Sequence, residues 1–129
     1  MKYLRAQDVE QRIADIVRVL NMQHLDTKRI FCFRSYGTSS KAIARCYGLS
    51  KIWQAALQAK PAYIIEVIAE RFDNLPIEEQ TKVLIHELLH IPKAFGGGFR
   101  HHDFVCQRNV EHFYMLYMQL RKSCESLFK

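Results

Sequence analysis

The sequence predicts an α+β domain: an N-terminal helix, a small three-stranded mixed sheet, a helix carrying a pair of histidines, and a long C-terminal helix. Three observations lead there. Apolar residues recur at helical spacing near both ends of the chain. Between those ends lie short runs rich in aromatic and β-branched residues, bounded by Gly, Pro and Ser. The second half then contains His86-Glu87-Leu88-Leu89-His90, with apolar residues on both flanks.

The first helix spans Ala6 to Met22, where Val9, Ile13, Ile16, Val17 and Leu20 form one stripe. Asp8 near its start suits the positive end of the helix dipole. Arg29 to Arg34 reads as a strand, closed by the turn Ser35-Tyr36-Gly37-Thr38-Ser39-Ser40. That turn lacks the spacing of a phosphate-binding loop and reads as a solvated hairpin connection. Lys41 to Leu49 is expected to be a strand ending at Gly48 and lying next to the preceding one. Ser50 caps a short helix to Ala59, in which Trp53, the only tryptophan, is expected in the core or over the sheet. After Pro61, Ala62 to Ala69 (AYIIEVIA) is the strongest strand signal in the chain.

The helix bearing the histidine pair should run from Pro76 to Ile91. Pro76 suits a first helical position, Glu78 and Glu79 complement the dipole in the first turn, and Pro92 stops it. Gly96-Gly97-Gly98 then allow a sharp turn and close backbone approach. The last helix should cover Asp103 to Leu127, with an apolar face through Cys106, Val110, Phe113, Tyr117, Leu120 and Cys124.

With 129 residues and 49% apolar content, residues 1–129 are enough for one core and one domain. No apolar run is long enough to span a bilayer and no signal-peptide pattern opens the chain, so a cytoplasmic protein without membrane attachment is expected. The four cysteines are widely spaced, with no C-x-x-C pair, which points to free thiols rather than a zinc ribbon or a disulfide framework. A formal charge of +6 favours acidic partners, nucleic acid among them. The basic residues are dispersed rather than clustered, so that partner rests on net charge alone.

The histidine helix carries the chemistry. Residues four apart share a helix face, so His86 and His90 can present two imidazoles to one metal ion. Glu87, beside the first, can reach a metal-bound water as general base. By chance alone, H-E-x-x-H would leave both histidines hydrogen-bonded in a core or exposed on a polar face; a buried pair needs partners for its ring nitrogens, and a metal supplies them. A catalytic zinc has three protein ligands and a water. His101 and His102, after the glycine turn, are the candidates for the third. Extending the apolar face of the last helix back one turn reaches His102, with His101 turned outward or held behind the ligands; the expected set is therefore His86, His90 and His102.

The block PAYIIEVIAERFDNLPIEEQTKVLIHELLHIPKAFGGGF, continued by HHDF, resembles the zinc metallopeptidases predicted in archaea and phages. These are minimal zincin-like domains, similar to the SprT-type proteases in having a third histidine after a longer insertion. The resemblance covers roughly Ile30 to Tyr117. It implies a zincin-type α+β fold in which a small sheet, with an edge strand for an extended polypeptide substrate, packs on the metal helix. By the motif, His86 and His90 are ligands, Glu87 is the catalytic base, and His102-Asp103 supplies the third ligand. The metzincin spacing is absent, since Lys93 stands where a glycine would be and Phe95-Gly96 where the third histidine would be.

The expected activity is Zn²⁺-dependent peptide hydrolysis, with Glu87 taking a proton from the activated water and passing it to the leaving amine. Tyr114 and Tyr117 are candidate donors to the oxyanion. Asp103, Glu66 and Glu70 are candidates to orient a ligand's second ring nitrogen. The alternative is a zinc-stabilised binding module that uses a basic surface on nucleic acid or a protein partner.

Overall fold

The computed structural model describes the backbone of residues 1–127 and the side chains as far as Ser123. In chain order the elements are β1 (Lys2–Arg5), α1 (Gln7–Val19), β2 (Ile30–Tyr36), β3 (Ala44–Gly48), α2 (Lys51–Leu57), β4 (Tyr63–Ile68), α3 (Ala69–Phe72), α4 (Ile77–Leu89) and α5 (Gln107–Leu127).

The four strands form one mixed sheet in the order β1-β2-β4-β3. β2 runs parallel to β4, while β1 and β3 are antiparallel to their neighbours. Two expectations are corrected here. The sheet has four strands, not three, because Lys2–Arg5 pairs with Phe33–Tyr36. All four β1 residues are exposed, so no apolar alternation marks them; main-chain pairing alone makes the strand. β2 and β3 are also not neighbours, since β4 lies between them. β4 is the most buried strand, with Tyr63, Ile65 and Val67 at or below 1% exposure, and a strand buried that deeply needs main-chain partners on both edges.

Alternation along β4 fixes the two faces of the sheet. Tyr63, Ile65 and Val67 join Cys32 and Ile30 in the core with Val9, Ile13 and Ile16 of α1 and Leu84, Ile85 and Leu88 of α4. The other face carries Tyr3, Tyr47 and Ile64, all exposed. Polar links tie α1 to the rest. Arg34 of β2 donates to Asp8 at the start of α1 and to Asp73 after α3. Arg12 donates to Gln80 Oε1 (2.7 Å) and Thr81 Oγ1 (3.0 Å), holding α1 against the first turns of α4.

Three further expectations shift. Trp53 is 58% exposed on α2, a helix with no buried residue. Its anchor is polar: Gln54 Nε2 donates to the carbonyls of Leu49 (2.7 Å) and Gly96 (3.0 Å). α4 begins after Pro76, which occupies the cap rather than the first helical turn. α5 begins at Gln107 rather than Asp103, because the preceding residues fold into tight turns in which Phe104 N–H and Val105 N–H both donate to His101 O. Along α5, Val110 and Tyr117 are buried, Leu120 is exposed, and Cys124 lies outside the residues whose side chains are described. Among the described residues, Cys32, Cys46 and Cys106 are free thiols, and no helix is long and apolar enough to cross a membrane.

Candidate metal centre

α4 brings the histidine pair together as its period requires. His86 lies in the last turn and His90 at the C-cap, with ring centroids 5.0 Å apart and the two Nε2 atoms at 3.3 Å. His102 closes the group, its ring 5.8 Å from His86 and 5.1 Å from His90. One nitrogen from each ring lies within 4.8 Å of the others. His102 arrives on the turn before α5, not on an extension of that helix, so the helical phase used to choose it does not operate. His101 lies outside the group, and its carbonyl serves the turn.

The return of the chain to α4 is held at several points. Arg100 N–H donates to His90 O (2.7 Å), and Arg100 O lies 2.8 Å from His90 Nδ1. A carbonyl can only accept, so Nδ1 carries the proton and neutral His90 offers a bare Nε2. Tyr63, 1% exposed, accepts from Gly97 N–H (2.9 Å) and donates to Gly98 O (2.8 Å), while its ring packs on Phe95 and Phe99. Gly97 has φ +102°, and a Cβ there would collide with Leu49 O; one on Gly48 would collide with Gly97 O. Neither Gly96 nor Gly98 would meet anything within 4 Å. Only the middle glycine of the three is required.

Electrostatics favour a neutral His86. His86 is pushed below the usual imidazole value by burial first and then by His90 and His102. Neutral imidazole is the form a metal binds. Glu87, 5% exposed, is pushed up to about 7 by burial. With His86 it lines a cleft of about 610 Å³ whose other walls include Lys41–Ala44, leading into the edge strand β3, Glu79 and Lys82 of α4, and Val110 and Glu111 of α5.

Against known proteins, the chain matches over residues 1–127 the model of a family described as "Putative phage metallopeptidase". The chain belongs to this phage-type metallopeptidase family. Membership implies a metal, which the three-histidine cluster is suited to hold, and a polypeptide substrate. No curated protein and no solved structure gave a match.

For this metallopeptidase chain the remaining candidates fall elsewhere. Glu66 lies on the outer face of the sheet and accepts from Tyr47 Oη (2.6 Å). Glu70 accepts from Gly37 N–H (2.6 Å), and Asp103 from Phe104 N–H (2.9 Å). None of the three orients a histidine; the Arg100 carbonyl does that for His90. Tyr117 Oη donates to Asp15 Oδ2 (2.5 Å), which commits it to the contact between α1 and α5. Tyr114 lies under Lys82, whose Nζ is 4.9 Å from its ring centre. Sequence reasoning missed Tyr63, Gln54 and Arg100. A tyrosine opening a buried strand is a signal for the first, because its hydroxyl must find a partner; a main-chain carbonyl leaves no residue-type signal at all.

Proposed function

We propose that the protein is a zinc-dependent, zincin-like metallopeptidase in which residues 1–129 act as one catalytic domain, His86, His90 and His102 hold Zn²⁺, and Glu87 is the general base. The observation that carries this reading is the 3.3 Å approach of the two Nε2 atoms. With His90 Nδ1 committed to Arg100 O, His90 Nε2 is a bare acceptor turned toward His86 Nε2, and in the Nδ1–H tautomer of His86 both lone pairs would converge on one cation. Tetrahedral zinc with Zn–N bonds near 2.0–2.1 Å sets neighbouring nitrogens about 3.3–3.4 Å apart. A set of three protein donors also suits catalysis, since structural zinc is closed by four.

Bound zinc supplies a Lewis acid that makes a water acidic and polarises the scissile carbonyl. The protein's part is proton transfer and positioning. Glu87 lies next to the first ligand in the cleft, where a buried carboxylate would accept the water's proton and return it to the leaving amine. β3 is an edge strand, and the chain entering it, Lys41–Ala44, lines the cleft. An extended polypeptide adding to that edge would lie across Glu87 through main-chain hydrogen bonds.

Replacing Glu87→Gln preserves shape and removes the base. We expect unchanged zinc content and hydrolysis of an unfolded polypeptide reduced by about 10²–10⁴-fold. Equal turnover by the variant would sink the peptidase reading. Zinc uptake without hydrolysis by either form, together with DNA binding that weakens as salt rises, would favour the binding module instead.

A further inference from the structure

Behind α4, on the side away from the cleft, lies a second cavity of about 350 Å³. Met22, Leu88, Leu89 and Ile91 line it and are all buried, at 8%, 1%, 5% and 1% exposure. Its polar lining is the neutral amide of Asn21 with the basic side chains of His24, Lys93 and Arg100, and no carboxylate is among the residues that line it. Among the described residues none of these three basic side chains forms an ion pair; Arg100 only rests its guanidinium over Phe104, 4.2 Å from the ring centre. Cations such as Arg5, Arg18, Arg34 and Lys82 do have acidic partners within 4 Å. Grouping cations around an apolar hollow costs free energy through mutual repulsion, and a bound anion would remove that cost.

From this juxtaposition we infer a binding site for a small organic anion, with its carboxylate between Arg100 and Lys93 and its alkyl part on Met22, Leu88 and Ile91. The volume falls within the range of about 300–1,000 Å³ typical of small-molecule sites, and an apolar hollow with a few convergent polar groups is their usual composition. The field of the two strong cations reaches His24, whose imidazole is held below its usual value by burial first and by Arg100 and Lys93 after it. A short-chain carboxylate satisfies both parts of the lining. Inorganic phosphate would satisfy the charge alone, and an alcohol of the same length the apolar part alone.

The test is a titration of the zinc-loaded protein with octanoate at constant ionic strength, followed by NMR of the histidine side chains, with phosphate and octanol as separate arms. Octanoate should shift the His24 resonances saturably and bind about tenfold tighter than either other probe, the loss of one charge-assisted contact or of the apolar part being worth about that factor. The Lys93→Gln and Arg100→Gln variants should each weaken octanoate by about tenfold, while circular dichroism reports an unchanged fold. Octanol or phosphate binding as tightly as octanoate would overturn the inference. So would shifts confined to His86 and His102, which would mean the carboxylate had gone to the metal. Lys93 is exposed, so if the Arg100 variant unfolds the Lys93 variant carries the test, and undiminished octanoate affinity in it, read at His24, overturns the site. Because binding is read at His24 and not through hydrolysis, failure here leaves the peptidase reading untouched.

Discussion

Glu87 is one carboxyl with two consequences. Burial raises its pKa to about 7, which suits a base, and the same burial costs stability when the group is charged. In an unfolded chain the carboxyl titrates near 4.3. A folded-state value above the unfolded one means the protonated form favours the fold. That contribution is therefore complete below about pH 4 and is lost as pH rises through about 7. In metal-free protein, Glu87→Gln is expected to be more stable than the parent by about 3 kcal/mol at pH 8, with the gap closing near pH 4. Urea unfolding at the two pH values checks this, and a gap that is constant with pH would refute it. The histidine pair and its glutamate were legible in the sequence because their spacing matches a helical period. Tyr63 and the Arg100 carbonyl were not: one reads as ordinary strand core, and the other is main chain.

At the scale of elements, the strong apolar periods were readable and the weak ones were not. α1, α4 and β4 lie within a few residues of their expected spans because each buries a contiguous stripe. β1 has no buried face, and α2 buries nothing, so hydropathy could neither reveal the first strand nor place Trp53. The start of α5 slipped by one turn because residues 101–106 satisfy their backbone through turns rather than helix. The connection from α4 to α5 depends on one glycine. Gly97→Ala places a Cβ at φ +102° against Leu49 O, and is expected to cost about 1–3 kcal/mol and to weaken metal binding. Gly96→Ala and Gly98→Ala meet nothing and should stay within about 0.5 kcal/mol of the parent. Unfolding midpoints and zinc affinities of the three variants check the contrast; equal losses at all three positions would refute it.

For the molecule as a whole, the class and the mixed sheet were foreseeable, but the strand order was not. Nothing local in β2 or β3 says that β4 will come between them; that follows from which strand has most to bury. The three histidines also join distant parts of the fold, since His86 and His90 belong to α4 and His102 to the turn leading into α5. A ligand that binds only the assembled site stabilises the fold by mass action, by about 4 kcal/mol when free zinc exceeds its dissociation constant a thousandfold. Removing zinc with a chelator is therefore expected to lower the melting temperature, and alanine at His86, His90 or His102 to abolish the zinc-dependent increment. His101→Ala should retain it. A thermal scan of the four variants with and without zinc decides which histidine completes the set.

The contact between Arg100 and His90 uses no side chain of residue 100: its N–H and its C=O do all the holding. The histidine is thus held by the chain length from His90 and by an N–H at position 100, not by the side chain there, which is left to the second cavity. Relatives of this chain should accordingly tolerate no insertion or deletion between residues 90 and 100, whichever side chain position 100 carries for the anion site. A profile that weights spacing over identity in this interval would find distant members that residue matching overlooks.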